Sequence, residues 1–137
     1  MTMNSKMNFS RKTDELENVF QFLQQKENEY GCSDRQKMEI DLCVEEVFMN
    51  MVRHNSSMDN KIEISVDKKG ENKIIICLID HEENPFDITK TDDLDLEDYV
   101  EKKKSGGLGI HLIKQLMDEI SFEHQRGISK ITMVKYI

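Results

Sequence analysis

Residues 61–80, "KIEISVDKKGENKIIICLID", constrain the fold more than any other stretch of the chain. The first part alternates, with Ile62, Ile64 and Val66 on one face, and the second is a nearly continuous β-branched run. These two patterns predict two strands, and "KKGEN" between them predicts a hairpin turn in which Gly70 supplies the unusual backbone angles. A hairpin with an apolar face needs a second layer to cover it.

Two amphipathic helices are predicted before this hairpin. The first runs from Asp14 to about Glu29 and can end at Gly31, since apolar residues recur at three- and four-residue spacing. The second begins after Ser33, because a Gln three residues later completes a capping box, and it runs to about His54. The predicted apolar stripes are Leu16, Val19, Phe20 and Leu23 in the first helix and Ile40, Cys43, Val44, Val47 and Met51 in the second.

The remaining segments complete an α+β pattern. Residues 6–10 predict a short strand or arm, and a third helix follows the glycines with Ile110, Ile113, Leu116 and Met117 as its apolar positions. "ISFEHQ" and "KITMVKYI" predict a closing hairpin around Arg126-Gly127. Residues 81–105 form a long polar segment of the lid or binding-loop kind, in which "DLDLEDYVEKK" allows a short helix. About three helices and four or five mainly antiparallel strands predict a two-layer α+β sandwich. We expect residues 1–137 to form a single domain in which residues 1–5 are disordered.

Charge and cysteine content exclude several classes of protein. With 19 basic and 27 acidic residues the net charge is −8, which argues against a clamp for nucleic acid or for an anionic membrane. No apolar run approaches the roughly 20 residues of a membrane span, and the N-terminus lacks a signal-peptide core. Cys32, Cys43 and Cys77 are odd in number and widely spaced, so we expect buried thiols in a reducing cytoplasm rather than disulfides or a zinc site.

The second helix carries a polar set. Glu46, Asn50 and His54 recur at four-residue intervals and share one face, which is predicted to point away from the apolar stripe. A carboxylate and an amide one turn apart can hold a hydrated Mg²⁺ and orient an attacking hydroxyl. A solvated polar helix face is the alternative, and this helix taken by itself favours it.

Asp80 closes the second strand of the hairpin, where an apolar run meets the polar segment. A carboxylate in that place can accept a hydrogen bond from an exocyclic amine such as that of adenine. It can equally begin an ordinary turn. The residue by itself leaves these two interpretations level.

The stretch "KKKSGGLGI" covers residues 102–110, and its residues 106–109 contain three of the six glycines of the chain. The stretch lacks the dinucleotide fingerprint, since Leu112 stands where the third glycine belongs, and it lacks the Gly-Lys-Ser/Thr of a P-loop. A glycine-rich loop that opens a helix can bring backbone N–H groups against a phosphate. A plain hinge is the other interpretation.

Taken in order, these motifs carry a family resemblance. Glu-x-x-x-Asn on a helix, Asp at a strand end before Pro-Phe-Asp, and Gly-Leu-Gly opening a helix resemble the GHKL ATP-binding superfamily, and within it the compact bacterial anti-sigma-factor serine kinases. The resemblance covers about residues 6–137, including "LMDEISFE". It implies a layer of helices over a mixed, mostly antiparallel sheet, with residues 81–105 as an ATP lid.

The resemblance also implies roles for individual residues. Glu46 matches the catalytic base and Asn50 the Mg²⁺ ligand, while His54 stands where the family often has a histidine, with helix-end packing its favoured role. The implied ATP-binding set is Asp80 for adenine and Lys104, Gly107, Leu108 and Gly109 for the phosphates. Two positions depart from the family pattern: Glu82 replaces a glycine, and Ser105 replaces a basic residue for which Lys104 would substitute.

The implied function is phosphoryl transfer from Mg-ATP to a serine of an antagonist protein, with binding of a sigma factor and pairing as a homodimer. The alternative is a regulatory module that binds ATP or sequesters a partner without catalysis. The ATPase half of a histidine kinase is less favoured, because His111 and His124 lie in no pair of dimerising helices and 137 residues leave no room for one.

Overall fold

The computed structural model describes residues 5–54, 61–81 and 107–137. Its helices are α1 (Leu16–Glu29), α2 (Asp34–His54) and α3 (Gly107–Leu116), and its strands are β1 (Lys6–Phe9), β2 (Ile62–Lys69), β3 (Lys73–His81), β4 (Glu119–Gln125) and β5 (Ile128–Tyr136). A 3-10 turn, Thr13–Glu15, precedes α1. Residues 1–4, the short helix allowed within "DLDLEDYVEKK" and all of the expected lid except His81 lie outside the described residues.

The five strands form one sheet in the order β1-β2-β3-β5-β4. Each of the four pairings is antiparallel, so the described sheet is the wholly antiparallel case of the mostly antiparallel sheet expected. The β2–β3 hairpin forms around Gly70, whose φ of 68° lies in the left-handed region. Arg126 and Gly127 join β4 to β5 with φ of 54° and 76°, two positive angles of the kind that match the twist of a tight hairpin.

The start of α2 confirms the predicted capping box. The Gln36 backbone N–H donates to Ser33 Oγ at 3.2 Å, and the Ser33 backbone N–H donates to Gln36 Oε1 at 2.7 Å. These bonds satisfy two donors that a helix start leaves without intrahelical partners. The predicted start of α1 at Asp14 is wrong by two residues, because the 3-10 turn occupies Thr13–Glu15.

The core lies between the helices and one face of the sheet. The whole predicted stripe of α2 is buried, as are Val19 and Leu23 of α1, whereas Leu16 and Phe20 are only partly buried. The sheet contributes the alternating set Ile62, Ile64, Val66, Ile74, Ile76 and Leu78, each with no exposed surface. The helical layer over an antiparallel sheet is therefore the α+β sandwich that the sequence predicts.

The cysteines match the sequence prediction in two of three positions. Cys32 and Cys43 are buried thiols, whereas Cys77 is half-buried with its Sγ 3.7 Å from Thr132 Oγ1. Burial raises the pKa of the Cys43 thiol to about 12. Among the described helices, none combines the length and apolar character that crossing a membrane requires.

Candidate functional site

Helix α2 brings Glu46 and Asn50 into contact one turn apart. The Asn50 side-chain N–H donates to Glu46 Oε2 at 3.4 Å, and Asn50 is only 5% exposed. The face that was predicted to point away from the apolar stripe is therefore not exposed to solvent at Asn50. Helix α2 packs against α1, α3 and the sheet, so little of its circumference faces solvent. A buried amide beside a carboxylate is unlike the solvated polar face that the helix pattern alone favoured.

The Glu46 carboxylate is held in a mixed electrostatic environment. Burial raises its pKa, the neighbouring Glu45 carboxylate raises it further, and Arg53 and the bond from Asn50 act in the opposite direction. The guanidinium of Arg53 lies 4.0 Å from Glu46 Oε2. A carboxylate with a raised pKa binds a proton more tightly, which suits a general base.

Asp80 lies at the end of β3 and is fully buried, with no exposed surface. Both of its oxygens accept hydrogen bonds from Arg11: Nη1 donates to Oδ2 at 3.1 Å, and Nη2 pairs with Oδ1. The same Nη1 also donates to the carbonyl of Met51 on α2, at 2.9 Å. A single nitrogen thus joins the end of β3 to α2 at the residue that follows Asn50.

Arg11 is a site residue that the sequence did not indicate. It lies in the polar stretch "SRK" between β1 and the 3-10 turn, 69 residues before Asp80. No periodicity or motif marks it, because a long-range ion pair between two isolated residues leaves no local pattern.

Helix α3 begins at Gly107, so Gly107, Leu108 and Gly109 occupy its first turn as predicted. Lys104 lies outside the described residues, and nothing is described of the side chains of residues 107–110. The other end of α3 is tied down, since Lys135 Nζ of β5 donates to the Leu116 carbonyl at 2.8 Å. The N–H groups of a first helical turn have no intrahelical acceptor and can donate to an anion.

Comparison with known proteins assigns the fold to a family. A family model described as the histidine kinase-like ATPase domain matches residues 9–135. The chain belongs to this family. The GHKL domain is 33% identical over 115 residues to the serine-protein kinase RsbW of Oceanobacillus iheyensis, across 80% of this chain and 72% of that protein. It is 30% identical over 106 residues to the serine-protein kinase RsbW of Bacillus velezensis, across 72% of this chain and 64% of that protein.

Two solved structures share the fold of this GHKL domain. The RsbU and RsbW domains of Rv1364c from Mycobacterium tuberculosis align with a TM-score of 0.67 at 15% identity, covering 96% of this chain and 32% of that one. The SiaB–SiaC complex from Pseudomonas aeruginosa aligns with a TM-score of 0.62 at 13% identity, covering 96% of this chain and 88% of that one. The two RsbW relatives confirm the serine-kinase branch of the superfamily that the resemblance implied.

The described residues around Glu46 and Asn50 suit Mg²⁺, whereas the surroundings of Asp80 do not leave an acceptor open for adenine. Glu46 and Asn50 provide adjacent side-chain oxygens, and Mg²⁺ prefers oxygen ligands and needs few of them from protein. Asp80 has the acceptor that an adenine amine requires, but both oxygens are occupied by Arg11. The Asn50 side-chain oxygen is compatible with a Mg²⁺ ligand, whereas Asp80 can accept a base amine only if the Arg11 guanidinium moves.

Proposed function

We propose that this GHKL domain is a protein kinase that transfers the γ-phosphoryl group of ATP to a serine of a partner protein. The observation that carries the proposal is the contact between Glu46 and Asn50 on α2, where a buried amide lies 3.4 Å from a carboxylate whose pKa burial has raised. Two relatives at 33% and 30% identity carry the name serine-protein kinase, which supports this reaction class.

Glu46 acts as the general base in this proposal. Its carboxylate takes the proton of the incoming serine hydroxyl while the serine oxygen bonds to the γ-phosphorus and the bond from that phosphorus to the β–γ bridging oxygen breaks. ADP leaves with the electron pair of that bond. Arg53, 4.0 Å away, favours the ionised carboxylate and so keeps it ready to accept the proton.

The other site residues bind and orient the nucleotide. The Asn50 side-chain oxygen is the proposed Mg²⁺ ligand, and the metal when bound neutralises charge on the phosphates. The first-turn N–H groups of α3, at Gly107, Leu108 and Gly109, together with Lys104, are proposed to donate to the phosphates. Asp80 is proposed to accept a hydrogen bond from the base.

The proposed partners are an antagonist protein that carries the target serine and a sigma factor whose activity the phosphorylation controls. The cytoplasm is the proposed location, in keeping with three cysteines that are all free thiols. Pairing as a homodimer remains a prediction from the family resemblance.

A non-catalytic partner-binding module is the second candidate. The observation that favours it is the Arg11–Asp80 pair, because a carboxylate occupied by a guanidinium is poorly placed to bind adenine. In that case the domain regulates its partner by occupancy, and phosphoryl transfer plays no part.

The test uses ATP labelled on the γ-phosphate, Mg²⁺ and an extract of source cells that lack this protein, with phosphoserine as the readout. Glu46→Gln keeps the shape of the side chain and removes the base, so transfer should fall by roughly 10²–10⁴-fold while ATP affinity is retained. Glu17→Gln, an exposed change of the same kind on α1, is the matched control and should keep most of the transfer.

The two candidates separate cleanly in this assay. Transfer that survives in Glu46→Gln would reject Glu46 as the base. A native chain that binds ATP and its partner but labels no protein would reject the kinase and favour the binding module.

A further inference from the structure

The ion pair between Arg11 and Asp80 is buried on both sides. The side chain of Arg11 is 2% exposed and that of Asp80 has no exposed surface. The guanidinium donates one hydrogen bond to each carboxylate oxygen of Asp80. Its Nη1 also donates to the Met51 carbonyl oxygen at 2.9 Å. Planar bidentate pairs of this kind are the strongest that arginine makes with a carboxylate.

This geometry bears directly on how a nucleotide base could reach Asp80. A base amine is a planar N–H donor that must contact a carboxylate oxygen at about 3 Å. The guanidinium is also a planar N–H donor, and it already occupies both oxygens of a side chain that has no exposed surface. The base and Arg11 therefore require the same acceptor.

We propose that Arg11 is an internal competitor for the base amine, so that ATP must displace its guanidinium from Asp80 in order to bind. This inference rests on the proposed function, since it takes Asp80 as the acceptor for the base. Arg11 thereby sets the affinity of the nucleotide site, although it belongs to neither the metal nor the phosphate end.

The displacement needs no change of fold. Arg11 lies between β1 and the 3-10 turn, where backbone bonds from Lys12 N to Ser10 O at 2.9 Å and from Glu15 N to Lys12 O at 3.1 Å hold the chain. Rotation about the side-chain bonds of Arg11 withdraws the guanidinium while these backbone bonds persist. ATP replaces the donor that Asp80 loses, whereas Arg11 gives up its hydrogen bond to the Met51 carbonyl. The exchange therefore weakens ATP binding relative to a site without the arginine.

The first measurement is a calorimetric titration of ATP with Mg²⁺ into the native chain, Arg11→Met and Arg35→Met. Arg11→Met removes the competitor and should bind ATP at least about tenfold more tightly than the native chain. Arg35→Met is the matched control, because it removes the same charge from a side chain that is 84% exposed, 3.4 Å from Glu39. Loss of a positive charge alone should leave ATP affinity unchanged or slightly lower.

The second measurement is made on the native chain, so its result does not depend on whether a variant folds. In the native chain, the guanidinium N–H resonances of Arg11 are expected to be protected and resolved by NMR, with Arg11→Lys used to assign them. Saturating ATP should abolish that protection. Arg11→Lys, which keeps the charge but cannot form the fork, should bind ATP with an affinity between those of the native chain and Arg11→Met.

Each outcome decides the proposal. Equal or weaker ATP binding by Arg11→Met, or protected Arg11 resonances that persist in the ATP-saturated native chain, would overturn it and leave the proposed function standing. No ATP binding by the native chain, Arg11→Met or Arg11→Lys at millimolar nucleotide would overturn the proposed function and this inference together.

Discussion

Asp80 on β3 and Glu27 on α1 are both buried carboxyl groups, but their surroundings differ. Asp80 has a guanidinium on both oxygens. Glu27, 1% exposed, faces Asp41 of α2, and among the described residues no donor reaches Glu27 Oε2 or Asp41 Oδ1. Burial first, and the nearby Asp41 second, raises the pKa of Glu27 to about 9.

Two buried carboxyl groups can face each other without a basic partner if one of them keeps its proton. Two facing carboxyl groups lack a donor when both are ionised, and a proton held by Glu27 supplies one to Asp41. The α1–α2 contact is therefore held together by a proton, which alkaline pH removes. The contact between β3 and the Arg11 segment is held together by N–H groups of a guanidinium, so it needs no proton shared between two acids.

The largest effect is expected from breaking the charge pair. Asp80→Leu leaves the Arg11 guanidinium buried with its carboxylate removed, and the free energy of unfolding should fall by about 3–5 kcal/mol in urea titrations. The double variant Arg11→Met with Asp80→Leu removes both charges and should regain much of that loss. A loss in Asp80→Leu no larger than that of an ordinary surface change, about 0.5 kcal/mol, would show that the pair does not stabilise the fold.

The second-largest effect is expected in the pH dependence of stability at Glu27. The folded-state pKa of Glu27 is raised, so its contribution to stability is complete below about pH 4.5 and is lost as pH rises through about 9. Glu27→Gln carries a permanent N–H donor and has no such loss. Since one pKa unit corresponds to about 1.4 kcal/mol, the free energy of unfolding of Glu27→Gln should exceed that of the native chain by about 1–3 kcal/mol at pH 6.5 and by more at pH 8.5, and should match it near pH 4.5.

Glu17→Gln, an exposed change on the same helix, is the matched control for that experiment and should follow the native pH curve. Urea unfolding at half-unit steps between pH 4.5 and pH 9 measures the curves. Parallel curves for Glu27→Gln and the native chain would contradict a proton held between the two helices.

The same contrast explains what the sequence could predict. Local patterns fixed the helices and strands, since Ser33 with Gln36 and the alternating β2 residues act over a few positions. The order of Glu46, Asn50, Asp80 and the glycines predicted a nucleotide site through family resemblance, which the family match supports as to fold. The ion pair of Arg11 across 69 residues and the facing acids of α1 and α2 depend on tertiary packing, which no local period encodes.

The position of Asn50 was misjudged for a related reason. A helical pattern assigns a polar residue to the solvent side, whereas α2 is packed on several sides and buries it. A helix covered by neighbours has room for polar side chains that bond to each other, and Glu46 with Asn50 is such a pair.

The smallest effect is expected at a third acidic group, Glu39 on α2, and it concerns the stability of the protein at acid pH. Lys135 Nζ lies 2.8 Å from Glu39 Oε1, and this bond lowers the pKa of Glu39 although burial opposes the shift. Because the folded pKa is depressed, the contribution of Glu39 is present above about pH 4.5 and is lost as pH falls, the reverse of Glu27. Lys135→Met should reduce the loss of stability on the acid side of the pH curve, here called the acid limb. It should also lower the free energy of unfolding near pH 7 by about 1 kcal/mol.

Lys130→Met, on the same strand, is the control and should keep the acid limb of the native chain. The substitution at Lys135 also removes the bond to the Leu116 carbonyl, so amide hydrogen exchange should rise at the C-terminal end of α3 before other helices respond. An acid limb that is unchanged in Lys135→Met would mean that the lysine orients α3 without stabilising the Glu39 carboxylate. The alkaline limb set by Glu27 should be the same in both lysine variants, because neither lysine is among the groups that shift its pKa.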